Sequence, residues 1–270
     1  MDTFKNDKLV GLILNDLPTR RDTMGANKES FSLINAIFPA LMTIISFLLF
    51  VAVYLYVTAK AIEPYYIGGL IFAIPFILFG AVTYFTGIGK LKAAKSTIIT
   101  IILIVALSII MVYAFVFIAI DAATTETTDI AKYERVLRIN GYPENSLIRH
   151  FPERIPHEAE NVVFRYHPAF GMGGESFNLK IEINSNTLNN YVNQFLQLAK
   201  WKGKAGDKGA VDNGIFTGTF SGIGYKELPE DFTIFLIDSK PYDTDNWNHG
   251  ILRLVTISEA KNEIIFIAES

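Results

Sequence analysis

The chain has 270 residues, of which 50% are hydrophobic and 19% charged, and its formal net charge is −3. This acidic balance argues against a nucleic-acid partner, because no cluster of Lys and Arg is available to neutralise phosphates. The absence of cysteine excludes disulfides, zinc sites with thiolate ligands and cysteine nucleophiles.

The first segment is polar and carries five basic and five acidic side chains. It contains a short apolar patch at residues 9–14, but it lacks the basic excess that draws an amphipathic helix to a lipid surface. We therefore expect residues 1–33 to form a cytoplasmic N-terminal tail.

Three long segments without Asp, Glu, Lys, Arg or His follow, at residues 30–59, 64–89 and 96–120. A helix rises about 1.5 Å per residue, so about 20 apolar residues cross a hydrocarbon core of about 30 Å. Only a helix satisfies its own backbone groups within lipid without closing into a barrel. Residues 34–120 are therefore predicted to form three transmembrane helices in the lipid bilayer.

These segments have the composition of an anchor. Transporters and proton relays place ionisable groups inside their spans, and these three segments contain none. Pro75 falls midway along the second span and is expected to kink it. Gly69 and Ala73 are four residues apart and would allow close packing of two helices. The pattern predicts an anchor or a partner-binding surface rather than a channel.

Lys and Arg are distributed unequally around the spans. Five basic residues precede the first span, and Lys90, Lys92 and Lys95 lie between the second and the third. The connection between the first two spans holds only Lys60, beside Glu63. By the positive-inside rule we expect a multi-pass protein of the plasma membrane, with a cytoplasmic N-terminus and an extracytoplasmic C-terminal domain.

Residues 121–270 differ in composition, with 15 basic and 21 acidic side chains. Apolar residues at 130, 133, 136 and 137 predict a helix that Thr127 or Thr128 caps and that Asn140-Gly141 ends. Alternating polarity at residues 162–166 and 177–183 predicts two strands. A second helix should begin at Ser185 or Asn186 and end at Gly203.

Four further strand-like segments lie at residues 215–220, 232–237, 251–257 and 263–268, and residues 259–262 should join the last two as a hairpin. The predicted fold class is an α-helical membrane anchor of three transmembrane helices plus a soluble α+β domain. That domain should have a mostly antiparallel sheet with helices on one face. Because its apolar faces all have partners within the segment, we expect residues from about 124 onward to fold without the spans.

Three stretches carry a resemblance: residues 150–156 (His-Phe-Pro-Glu-Arg-Ile-Pro), residues 170–180 (Phe-Gly-Met-Gly-Gly-Glu-Ser-Phe-Asn-Leu-Lys) and residues 262–270 (Asn-Glu-Ile-Ile-Phe-Ile-Ala-Glu-Ser). The chain resembles uncharacterised membrane-anchored proteins of Gram-positive bacteria that have a C-terminal extracytoplasmic domain and no assigned function. The likeness covers the C-terminal domain and not the spans. It implies a location in the bacterial cell envelope and brings no catalytic residues.

A polar and aromatic loop between two predicted strands is the preferred contact site. Mixed Tyr, Trp and Asn side chains suit contact with sugars or with protein. The acids alternate as in a calcium loop, but the glycine and the closing glutamate of such a loop are missing. The contact residues of this loop are Tyr242, Asp243, Asp245, Trp247 and His249.

The segment from His150 to Glu160 is the alternative site. It combines two histidines with three glutamates, and an enzyme would use Glu153 or His157. Pro152 and Pro156 interrupt the helical spacing of a typical His–Glu metal site, so no metal ligands and no cofactors are predicted. The glycine-rich residues 171–174 lie between two predicted strands, which favours a hairpin loop over a phosphate-binding loop.

The sequence thus favours a non-enzymatic binding, sensing or interaction module of the bacterial envelope, held by three helices. Its partners would be the lipid bilayer and a membrane or envelope protein. A hydrolase-like envelope enzyme that uses residues 150–160 is one alternative. An accessory subunit of a membrane complex is the other.

Overall fold

The computed structural model describes residues 33–170, 173–215, 217–240 and 250–270. It contains three long apolar helices, followed by an α+β domain. Helix α1 covers Ile37–Ala59 after one 3₁₀ turn at Ile34–Ala36, α2 covers Ile74–Gly87 after a 3₁₀ segment at Gly68–Ala73, and α3 covers Ala93–Thr124. When the 3₁₀ segments before α1 and α2 are included, all three helices are long and apolar enough to cross a membrane, which makes the chain a candidate multi-pass membrane protein.

The second span changes helix type at Pro75. The six residues Gly68–Ala73 are 3₁₀-helical, and Pro75 lies in the first turn of α2. Proline has no N–H to donate, and the first turn of an α-helix needs none. The expected mid-helix kink is therefore a junction between two helical segments, which explains how this span tolerates proline.

Gly69 and Ala73 do serve close packing, as their spacing predicts. Both residues are buried. A Cβ atom at Gly69 would lie 3.0 Å from the Tyr54 ring and 3.3 Å from Val57 of α1. A side chain at residue 69 would therefore require the Tyr54 or Val57 side chain to shift.

Hydroxyl groups connect the spans toward the other end of the bundle, away from Gly69. The Thr43 and Thr83 hydroxyls are 3.1 Å apart, and Thr86 donates to the Ser96 hydroxyl at 2.8 Å. Each of these threonines is also within hydrogen-bonding distance of a backbone carbonyl of its own helix. The polar groups of the bundle are satisfied internally, as an anchor in lipid requires.

The domain begins with α4 at Tyr133–Ile139, preceded by a 3₁₀ turn at Ile130–Lys132. The remaining helices are α5 at Ser185–Leu198 and the short α6 at Lys208–Asp212. Six antiparallel strands form one open sheet in the order β1-β2-β6-β5-β4-β3. The strands are β1 Glu160–His167, β2 Ser176–Glu182, β3 Trp201–Gly203, β4 Thr233–Lys240, β5 Ile251–Ser258 and β6 Glu263–Glu269.

Both faces of the sheet are covered, whereas the sequence predicted helices on one face. One face packs against α4 and α5, where Tyr133, Leu137 and Phe195 join residues such as Phe266 in the main core. The opposite face packs against the segment after β3, including Ala210 of α6 and Phe220. Side chains alternate between the two faces along a strand, so β5 and β6, at the centre of the sheet, are buried on both sides.

Two element predictions were wrong. The second domain helix ends at Leu198 rather than at Gly203, and residues Trp201–Gly203 form strand β3. The segment predicted as a strand at residues 215–220 enters a 3₁₀ helix, Thr217–Ile223, which lies on the sheet instead of extending it. The remaining predicted strands are confirmed. The hairpin at residues 259–262 is confirmed by the pairing of Ser258 with Glu263.

The caps also differ from expectation. Asp129, not Thr127 or Thr128, caps the helical segment at 130, because its carboxylate accepts from the Ala131 N–H at 3.0 Å. Asn184 caps α5 by accepting from the Thr187 N–H at 2.9 Å. The stop at Gly141 is confirmed, since its φ of +81° suits glycine.

Candidate functional site

The predicted contact loop falls outside the described residues, with Tyr242, Asp243, Asp245, Trp247 and His249. The residues on either side of it are described. Lys240 ends β4 and pairs with Ile251 at the start of β5, so the segment between them joins these two strands at one end of the sheet. The two strands expected on either side of the predicted contact loop are therefore present.

The glycine-rich connection lies at the same end of the sheet. His167 pairs with Ser176, so residues 168–175 join β1 and β2 as a hairpin. Gly171 and Met172 lie outside the described residues. At Gly174 a Cβ atom would lie 2.1 Å from the Ser270 carbonyl oxygen, so this glycine allows close backbone approach. The geometry supports the predicted hairpin loop.

Two half-buried carboxyl groups lie near these connections. Burial raises the pKa of Glu269 and of Glu175, and the Tyr166 hydroxyl donates to Glu175 at 3.0 Å. By strand alternation, Glu269 faces the side of Ile267 and Glu175 faces the side of Phe177. The carboxyl groups therefore lie on opposite faces of the sheet and do not form an acid pair for hydrolysis.

The alternative site at residues 150–160 is divided between core and surface. The His150 ring is buried, its Nε2 is 3.0 Å from the Ile267 carbonyl oxygen, and burial lowers its pKa to about 3. Glu153 and His157 are exposed instead. A buried neutral imidazole cannot exchange protons with a substrate in solvent, so His150 is withdrawn from such a site and only Glu153 and His157 of the proposed residues remain accessible.

Among the described residues, no group of three or more His, Asp or Glu side chains is close enough to hold a metal ion. The most connected ionic cluster has another role. Asp238 forms ion pairs with Lys200 and Arg253, which lower its pKa. Arg253 also donates to the Ser146 carbonyl at 2.6 Å. This buried guanidinium ties the irregular segment at 146 to the sheet.

The contact between the domain and the membrane helices is the most specific polar site in the described residues. Arg135 of α4 donates through Nε and Nη2 to the Ala61 carbonyl, at 3.0 and 2.8 Å, and through Nη2 to the Thr58 carbonyl at 2.7 Å. The Thr58 carbonyl belongs to the last turn of α1, whose C-terminal end carries partial negative charge, and the Ala61 carbonyl lies two residues beyond that end. Arg135 thus caps a transmembrane helix from the domain.

Ion pairs and an apolar contact extend this site. Lys132 pairs with Glu63, and the Tyr65 hydroxyl donates to Asp121 at the end of α3. Between these groups, Ile62 is 3% exposed and belongs to the main core of the domain. The connection between the first two spans is therefore part of the domain's packing. The expectation that the domain buries its apolar faces alone is corrected by Ile62.

The chain leaving α3 is fixed as well. Thr127 exchanges two backbone hydrogen bonds with Tyr166 of β1, at 3.1 and 2.9 Å. Glu126 accepts from His167 at 2.8 Å and pairs with Arg165, and these contacts lower its pKa. Only a few residues separate the end of α3 from these contacts. The domain is therefore attached to the membrane helices at two places, at the end of α1 and at the end of α3.

Sequence reasoning missed Arg135 and Ile62. Arg135 lies on the polar side of a short helix, where arginine is common. The only signal for Ile62 is an isolated apolar residue between Lys60 and Glu63 in a short connection. Neither pattern indicates a partner that is more than 70 residues away in the chain.

No protein-family model, no curated protein and no solved structure matches this chain.

Proposed function

We propose that the chain is a membrane-anchored binding or sensing module of the bacterial envelope, with its 121–270 domain on the extracytoplasmic side. The observation that carries the proposal is the attachment of the domain to α1 by Arg135 and Ile62. A flexible linker would be sufficient to attach a domain that only has to be exposed at the membrane surface. Here any partner that displaces α4 also changes the capping of a transmembrane helix.

The charge distribution supports the orientation. Lys90 and Lys92 lie between α2 and α3, and Lys95 lies in the first turn of α3, at the end of the bundle away from the domain. Lys60 alone lies in the connection on the domain's side. Basic residues favour the cytoplasmic side, which puts the domain outside the cell.

The absence of cysteine allows a direct test of this orientation, since a single cysteine can be introduced without removing others. Glu230→Cys would mark an exposed position in the domain, and Lys92→Cys the opposite end of the bundle. A membrane-impermeant maleimide should label Glu230→Cys in intact cells and Lys92→Cys only after lysis. The reverse pattern would place the domain in the cytoplasm and contradict the proposal.

Binding itself is testable with the tryptophans, of which the chain has two. In a Trp201→Phe background, Trp247 of the predicted contact loop is the sole tryptophan. Solubilised envelope sugars or proteins that bind this loop should change its fluorescence at saturable concentrations. Tyr242→Ala in the same background should weaken the response. Stoichiometric co-purification of other membrane subunits, without any such response, would favour the accessory-subunit alternative instead.

A further inference from the structure

A cavity of about 220 Å³ lies between the ends of α1 and α3 that are nearest to the domain. Small side chains create it, because Ala119, Ala122 and Ala123 of α3 face Ala61 across the gap. Its wall also includes two tyrosines and one cation, Tyr56, Tyr65 and Lys60. The volume equals that of about seven waters, but most of the lining is apolar and would hold water poorly.

The cavity lies at the depth of the lipid headgroups. Helix α3 has 32 residues, so it is about 48 Å long and exceeds a hydrocarbon core of about 30 Å. Its uncharged segment ends at Ile120, and Asp121 follows. Tyr56 and Tyr65 are the amphipathic residues expected at this boundary. One side of the cavity therefore meets acyl chains and the other meets headgroups.

Lys60 is the cation of this cavity that lacks a partner within the described part of the chain. The acids nearby are engaged, because Glu63 pairs with Lys132 and Asp121 accepts from Tyr65. The Thr58 and Ala61 carbonyls, at and just beyond the end of α1, accept from Arg135. No described carboxylate lies within ion-pairing distance of the Lys60 ammonium, which is exposed and leaves its charge available to an external anion.

We propose that this cavity binds one anionic phospholipid of the adjoining leaflet. The upper part of an acyl chain fills the apolar gap between α1 and α3, and the phosphate pairs with Lys60. A phosphate near the membrane surface gains about 1 kcal/mol from one lysine, which is about a fivefold difference in affinity. The shape of the gap selects a lipid, and the lysine selects its charge.

The full-length protein in a non-ionic detergent provides the test. Phosphatidylglycerol and phosphatidylcholine with identical acyl chains are titrated, and bound lipid is counted by native mass spectrometry alongside the melting temperature. We expect one phosphatidylglycerol per chain and a higher melting temperature, with about fivefold weaker binding of phosphatidylcholine. Equal binding of the two lipids would overturn the assignment to an anionic lipid.

Three variants separate the contributions. Lys60→Gln should remove the preference for phosphatidylglycerol, whereas Ala122→Leu should fill the gap and weaken the binding of both lipids. Lys90→Gln, an exposed lysine at the opposite end of the bundle, is the matched control and should leave both affinities unchanged. An equal loss in Lys60→Gln and Lys90→Gln would mean unspecific surface attraction and would overturn the proposal.

A soluble anion is the remaining occupant to distinguish. Inorganic phosphate and glycerol phosphate carry the charge without an acyl chain, and they should not raise the melting temperature. If they do so as strongly as the lipid, and Ala122→Leu leaves lipid binding intact, the site is an anion site and the lipid assignment is wrong. Should Ala122→Leu fail to fold, the comparison of Lys60→Gln with Lys90→Gln still tests whether Lys60 binds the anionic lipid.

Discussion

His150 shows how burial removes a titratable side chain from chemistry. The ring is 8% exposed and packs edge-on against Phe151, and its Nδ1 has no hydrogen-bond partner among the described groups. Burial lowers its pKa to about 3, and the positive charges of Arg253 and Arg149 act in the same direction. The imidazole is therefore neutral at physiological pH and serves the core.

This lowered pKa makes the stability of the domain depend on pH. The unfolded histidine has a pKa of about 6.5, so below that pH the unfolded chain binds a proton that the folded chain refuses. Stability is therefore lost as the pH falls from about 6.5 toward about 3. Between pH 7 and pH 5 the loss from His150 should be about 2 kcal/mol. Thermal unfolding of the full chain should show a smaller loss in His150→Gln.

The matched control is His157→Gln, because His157 is exposed in the same segment. Its unfolding should follow the wild-type dependence on pH. If His150→Gln and the wild type lose stability equally between pH 7 and pH 5, the buried ring is protonated without penalty and the prediction fails.

At the scale of elements, helix starts depend on single side chains. Helix α5 begins at Ser185, and the Asn184 amide oxygen accepts from the Thr187 N–H. The sequence placed this start at Ser185 or Asn186, because all of these residue types cap helices. Only the backbone geometry identifies Asn184, which has extended φ and ψ angles.

Asn184→Ala should therefore lower the unfolding free energy of the domain by about 1 kcal/mol, because one N–H of the first turn loses its acceptor. Asn186→Ala, an exposed residue two positions later, is the control and should change stability by less than about 0.5 kcal/mol. Urea unfolding of the detergent-solubilised protein measures both. A larger effect at residue 186 would place the cap where the sequence first suggested.

At the scale of the whole molecule, the connection between the first two spans joins the anchor and the domain. Ile62 is 3% exposed in the main core, while Ile67 in the same connection is 86% exposed. Arg135 adds hydrogen bonds to the carbonyls on either side of Lys60. The domain core is therefore completed by a residue of the membrane region.

Ile62→Ala should destabilise the domain by about 2–5 kcal/mol, since it removes buried methyl groups and leaves a cavity. Hydrogen exchange at the amides of β6 in the full chain measures this effect, and Ile67→Ala should leave the exchange unchanged. A fragment of residues 122–270 should likewise exchange faster than the same residues in the full chain. Equal exchange in fragment and full chain would restore the expectation of an independent domain.

The sequence alone determined the elements whose cause is local. The spans follow from long uncharged segments, because helices satisfy their own backbone in lipid. Strands β1 and β2 follow from alternating polarity, and the β5–β6 hairpin from two apolar segments around residues 259–262. These inferences need no knowledge of distant residues, and the structure agrees with them.

Only the tertiary structure decided which segments cover the second face of the sheet. The continuous apolar sequence of β6 signals burial on both sides, yet it does not identify the covering segment. Residues 215–220 were predicted as a strand, but residues 217–223 lie on the sheet as a 3₁₀ helix that contacts β1 and β2, and its Phe220 and Ile223 join the second core. Ile62 and Arg135 likewise make their contacts with segments that are distant in the sequence. Their partners are set by packing between distant segments, which no local pattern records.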